Sequence, residues 1–243
     1  MPPLPSETQP RSPEAFARFL ATKEPVFLVG GQAVNVWALY YENRTRELAP
    51  FVSRDVDVLG DLETLKALGK LAGTKPQVFP PRPPTNEVGV VIGKDSDGQP
   101  LLIEVLRNIH GVSNEELRES AYTVALGDTS VRVPGPIALL QAKIANVADL
   151  AQTGRQDGRH VIILTRLMPA YLEDLQKAAT TGRLEERKLI EHLEHLLKLA
   201  TSRKGKKILS ELRIDARNLF DGLGNKKLAK LTAFIEKRLR CAL

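Results

Sequence analysis

The chain has 243 residues and a mass of 26.8 kDa, enough for one large domain or two modest ones. With 42% hydrophobic and 26% charged residues it has an ordinary globular make-up, which excludes collagen-like, disulfide-scaffold and wholly disordered classes. The formal net charge of +6 is uneven: residues 183–243 hold 16 Lys/Arg against 8 Asp/Glu, and the first 182 residues are net −2. That asymmetry turns the C-terminal quarter toward an anion, with RNA or DNA the first candidates, and it fits a solvated helical face equally well. No run approaches the roughly 18 apolar residues of a membrane span. The proline-rich start lacks the apolar stretch of a secretory signal, and a single cysteine, Cys241, excludes an internal disulfide. A cytoplasmic protein without a membrane partner is expected.

In chain order, Pro2, Pro3, Pro5, Pro10 and Pro13 mark residues 1–13 as a flexible arm. Ser12, Pro13 and Glu14 then open a helix expected to run to about Thr22. Val26-Phe27-Leu28-Val29 is a continuous apolar run read as a buried strand, ending at Gly30-Gly31. A helix over 32–41 follows, with Ala33, Val36, Trp37, Tyr40 and Tyr41 at helical spacing and assigned to the core. After an irregular stretch, Asp55-Val56-Asp57-Val58-Leu59 alternates as a strand with one wet face does. A helix over 62–72, a stiff spacer at Pro80, Pro81, Pro83 and Pro84, and strands over 87–92 and 101–106 come next. A short helix at 114–119 and strands at 122–126 and 131–133 complete this half. Beyond Pro136 only helices are expected, at about 136–151, 158–179, 184–201, 205–221 and 225–241, with Pro169 kinking or splitting the second. The expected class is α/β (α+β): a flexible arm (1–13), a mixed-sheet core with flanking helices (14–135) and a C-terminal helical bundle (136–243).

Three features carry chemistry together. Gly30-Gly31 at a strand-to-helix turn lets backbone approach a phosphate closely and offers it unsatisfied N–H groups, although such a pair is more often only a turn. Asp55 and Asp57, at i and i+2 on a strand, project from one face. Two adjacent carboxylates raise each other's proton affinity unless a cation sits between them, and hard oxygen ligands of this kind suit magnesium. Glu104 is a single acid in an otherwise apolar strand, costly to bury without a partner. Either a metal shared with Asp55 and Asp57 or a salt bridge to Arg54 or Arg107 resolves that cost, and on its own the salt bridge is favoured.

The order strand, Gly-Gly, helix, Asp-x-Asp strand, later strand acid resembles the nucleotidyltransferase superfamily related to DNA polymerase beta. The stretches Phe27-Leu28-Val29-Gly30-Gly31-Gln32-Ala33 and Ser53-Arg54-Asp55-Val56-Asp57-Val58 are most similar to the AbiEii-type toxins and the nucleotidyltransferase-like proteins around them. Residues 134–144, with Lys143, look like the family's helix bearing a nucleotide-contacting lysine. Arg155-Gln156-Asp157-Gly158-Arg159-His160 is similar to its Arg-x-Lys-Asp segment, with Gln156 where a lysine is common. The resemblance covers about residues 25–165. The chain departs from the wider superfamily in lacking a serine after Gly30, in carrying Glu104 for an aspartate, and in a long spacer between Gly31 and Asp55.

The resemblance implies nucleotidyl transfer from an NTP to a hydroxyl acceptor. In that reading Asp55, Asp57 and Glu104 are metal ligands for two Mg²⁺ ions. Asp55, Asp57, Glu104 and Lys143 are the catalytic residues, and Gly30, Gly31, Lys143 and Asp157 bind the nucleotide. RNA, including tRNA, is the expected acceptor through the basic C-terminal helices, and a toxin role implies a cognate antitoxin partner. The alternatives are an antibiotic-type small-molecule nucleotidyltransferase and a catalytically silent relative that binds a nucleotide or a partner. His192 and His195 are assigned to a solvated face, His160 to the interior beside Asp157, and Lys143 without the family likeness to a solvated helix face.

Overall fold

The computed structural model describes residues 8–80, 86–224 and 227–243. The first seven residues of the expected arm, Pro81, Pro83 and Pro84 of the spacer, and Lys226 lie outside the described residues. After a 3₁₀ turn (Pro13–Phe19) the chain forms β1 (Phe27–Val29), α1 (Gly30–Tyr40), α2 (Glu42–Thr45), β2 (Asp55–Leu59) and α3 (Leu62–Ala72). Next come β3 (Gln77–Val78), β4 (Glu87–Lys94), β5 (Pro100–Leu106), α4 (Asn114–Glu119), β6 (Tyr122–Leu126) and β7 (Thr129–Val133). The helices α5 (Pro136–Asp149), α6 (Asp157–Thr180), α7 (Glu186–Thr201), α8 (Arg203–Glu211) and α9 (Ala229–Phe234) follow. The last is prolonged by a π turn over Ile235–Leu239.

The strands make one mixed seven-stranded sheet in the order β3-β4-β5-β2-β1-β7-β6. β2 lies at its centre, antiparallel to β1 and parallel to β5. Period-two alternation decides which face is which. Val56, Val58, Ile103 and Val105 turn into the main core, leaving Asp55, Asp57, Leu102 and Glu104 on the opposite, half-buried face. Residues 31–38 of α1 are all buried, because this helix is enclosed between the sheet, α5 and α6. One connected apolar core runs from Phe16 through the sheet to Leu231 and Phe234 of α9. A smaller cluster around Phe27, Val29, Leu59, Leu117 and Ala142 backs the half-buried face. The fold is thus a mixed α/β sheet flanked by helices, and no helix among the described residues is long and apolar enough to cross a membrane.

Differences from the sequence reading have local causes. The helix expected through Thr22 is only the 3₁₀ turn, and Ser12 makes no side-chain cap to extend it. The stretch taken as irregular contains α2 and a further 3₁₀ turn at Arg46–Leu48, and the two-residue β3 is too short to leave a pattern. Pro169 does not split α6, which runs unbroken for 24 residues. Leu164, Met168, Tyr171 and Leu172 are buried on either side of the missing N–H, and packing holds the axis where propensity opposes it. The helix expected over 205–221 breaks instead at Arg213, which adopts a left-handed φ of 58° with no glycine to announce it. Asp215 then accepts from the Arg217 N–H at 2.9 Å and starts a separate 3₁₀ turn, Ala216–Phe220. Trp37 and Tyr41 are core as expected, but Tyr40 is 65% exposed.

Candidate functional site

The carboxylates meet through strand register. Asp57 stands opposite Val29 on β1 and opposite Glu104 on β5, and Asp55 is opposite Leu102. Asp55, Asp57 and Glu104 therefore share one face at the middle of the sheet, with the end of β1 beside them. There the chain turns into α1 through Gly30, whose φ is +65°. A Cβ at Gly30 would lie 1.7 Å from Asp57 Oδ2, so the turn closes against the carboxylate only because the residue is glycine. Ser53 donates to Asp55 Oδ1 at 2.9 Å, and is itself pinned by a two-way backbone bridge to Arg11.

This arrangement raises proton affinity. Burial, and then the Asp55 carboxylate, push the Asp57 carboxyl up to about 7, while Lys143, Arg155 and the Gly31 backbone N–H pull against them. Burial, Asp57, Asp55 and Glu87 push Glu104 up to about 8. The salt bridge from Glu104 to Arg54 or Arg107 is absent among the described residues, and no cation enters the balance at Glu104.

Lys143 on α5 and Asp157 at the start of α6 face each other across a buried ion pair of 2.8 Å. Lys143 is 6% exposed, which removes the solvated-helix reading of this residue. Asp157 also accepts from Arg155 Nε at 2.6 Å and Asn146 Nδ2 at 3.2 Å. Burial alone would raise its pKa, but Lys143 and these donors bring it down to about 2. Gly30, Asp55, Asp57, Glu104, Lys143 and Asp157 all line one cleft of about 970 Å³. The N–H of Gly31 is turned to Asp57.

The cleft also contains side chains given no role from sequence. Ser53, two residues before Asp55, and Arg155, two before Asp157, carry a spacing signal, whereas Asn146 and His110 carry none. His110 lines the cleft and its Nε2 lies 2.9 Å from Asp149 Oδ2, the atom that Lys204 Nζ reaches at 2.5 Å. The first turn of the basic helix α8 is thereby joined to the cleft rim. His195 instead bonds Gln141 of α5, binding α7 to α5. His160 is interior, as expected, but makes no hydrogen bond to Asp157.

The donor set is all oxygen. Among the described residues no three His, Cys, Asp or Glu side chains form a group able to hold a metal ion by themselves. A pair of carboxylates left open for phosphate oxygens is the kind of site Mg²⁺ favours, since it binds through one or two carboxylates plus substrate. The residues present fit the ion.

No protein-family model and no curated protein matches the chain. Among solved structures it is similar to an antigenic nucleotidyltransferase-like protein from Paracoccidioides brasiliensis, at 17% identity over 77% of this chain and 95% of that one, with a TM-score of 0.41. It is also similar to JHP933 from Helicobacter pylori, at 16% identity over 91% and 92% of the two chains, with a TM-score of 0.41.

Proposed function

We propose that this chain is a Mg²⁺-dependent nucleotidyltransferase that moves an NMP from an NTP to a hydroxyl acceptor, with RNA, including tRNA, as the acceptor. The observation that supports it is the cluster of Asp55, Asp57 and Glu104 beside the Gly30 turn, facing Lys143 across one cleft. Asp55 and Asp57 would hold the metal together with the phosphate oxygens of the nucleotide. The chemistry supplied by bound Mg²⁺ is neutralisation of the triphosphate and stabilisation of the attacking and leaving oxygens of an in-line displacement. The acceptor oxygen bonds to the α-phosphorus, the bond to the bridging oxygen breaks, and pyrophosphate leaves. Glu104 would complete one metal's shell or take the acceptor's proton. Lys143 offers a fixed positive charge to the phosphates, held in place by Asp157. The link from His110 through Asp149 to Lys204 supports a polyanionic acceptor, because it continues the cleft into the basic face of α8. A toxin role with an antitoxin partner is carried by the AbiEii resemblance alone.

Incubation with labelled NTPs, Mg²⁺, total RNA and candidate small acceptors tests the reading. Labelled RNA is expected; a labelled small acceptor supports the antibiotic-type alternative, and no label supports a silent relative.

A further inference from the structure

His160, in the first turn of α6, is 5% exposed and lines the cleft, yet neither Nδ1 nor Nε2 has a hydrogen-bond partner. An imidazole N–H buried without an acceptor is destabilising, and in a folded protein such a group points to a ligand or an ordered water. The Cε1–Nε2 edge of the ring is aimed at Gly31, with Cε1 3.1 Å and Nε2 3.5 Å from where a Cβ would stand. Ser53 Oγ lies 3.2 Å from the same point. The missing side chain at Gly31 thus lets the ring and Ser53 pack closely against the N-terminus of α1, and all three residues line the cleft.

The surroundings favour an anion at this end of the cleft. The first turn of an 11-residue helix presents partial positive charge. Lys143, Arg159 and Arg155 act on the ring against the single carboxylate of Asp157. We propose that His160 is a phosphate-binding residue, one ring N–H donating to an oxygen of the nucleotide's triphosphate seated against Gly31. This rests on the nucleotidyl-transfer reading and adds to it a contact that neither the Gly-Gly turn nor the acidic strand supplies. Burial, reinforced by Lys143, holds the His160 pKa down to about 3, so the ring is neutral at physiological pH and keeps one N–H to donate.

Inorganic tripolyphosphate with Mg²⁺, titrated into the full chain by calorimetry, probes this end of the cleft without involving a base or an acceptor. Wild type is expected to bind. His160→Phe, which fills the same space without nitrogens, is expected to bind about tenfold or more weakly, as loss of a hydrogen bond to a charged group implies. His160→Asn, which keeps an N–H, should recover part of the affinity. In ¹⁵N-histidine-labelled wild type, one of the four histidine ring signals, assigned to His160 by its loss in the variants, should shift on titration. An unshifted His160 signal overturns the proposal whatever the variants do, and undiminished affinity in His160→Phe overturns it as well. Either result leaves nucleotidyl transfer standing while wild type still binds, whereas a wild type blind to tripolyphosphate sinks both. If His160→Phe fails to fold, the wild-type titration alone decides.

Discussion

At the residue scale, the site is a set of charges whose costs have opposite signs on the two sides of the cleft. Asp57 and Glu104 have folded-state pKa values raised to about 7 and about 8, so the folded chain holds their protons more tightly than the unfolded chain does. Their contribution to stability therefore falls as pH rises from the ordinary carboxylate range through those values. Asp57→Asn removes one of the repelling charges. Its melting temperature, followed by circular dichroism, should exceed that of wild type at pH of about 8 and converge with it near about 4, while transfer activity drops by roughly a hundredfold or more. Near wild-type turnover in this variant would show that the site is misassigned. Asp157 behaves in the opposite sense. Its pKa is lowered to about 2, so its stabilisation is complete above the ordinary value of 3.8 and is lost as pH falls through about 2. Asp157→Ala leaves Lys143 buried without its counter-charge and should cost about 3–5 kcal/mol. Urea titrations of wild type and variant should also show a flatter acid limb in the variant, and a cost under about 1 kcal/mol would mean the pair is not buried as described.

At the element scale, the site depends on where strands stop and helices begin. β1 ends at Val29 because Gly30 takes a φ of +65° and starts α1 immediately. Gly30→Ala combines a disfavoured backbone with a Cβ 1.7 Å from Asp57 Oδ2. The backbone conformation alone costs of order 1–3 kcal/mol, and the clash must move either the helix or the carboxylate. The variant should unfold at a lower temperature and lose activity together. An active variant as stable as wild type would show that the turn has room the structure does not give it. The same dependence on packing explains why α6 tolerates Pro169: burial on either side of the proline outweighs its propensity.

At the scale of the whole molecule, the open question is what the basic C-terminal helices face. Lys206 and Lys207 are exposed on α8, the helix joined to the cleft rim through Lys204. If this face tracks RNA phosphates, the logarithm of affinity falls linearly with the logarithm of salt, with a slope near roughly −0.7 per contacted phosphate on single strands. Reversing both lysines to glutamate should weaken RNA binding and shallow that slope. Filter-binding titrations at several salt concentrations measure both, and a slope identical in the two proteins would return these helices to a merely solvated face.

The sequence by itself determined the elements whose signal is local. The alternation in Asp55–Leu59, the run ending at Gly30, the helix Leu62–Ala72 and the hairpin of β4 and β5 were all legible, because period and turn chemistry are properties of neighbouring residues. It also placed Asp55 and Asp57 on one face, since i and i+2 on a strand leave no other choice. Only the tertiary structure set Glu104 opposite Asp57, because that register is decided by which strands pair across 47 residues of chain. Only it buried Lys143 against Asp157, turned a lysine that reads as solvated into a fixed charge, and left His160 without a partner at the first turn of α1. Long-range packing decides what a charged side chain faces, and that depends on elements far apart in the chain.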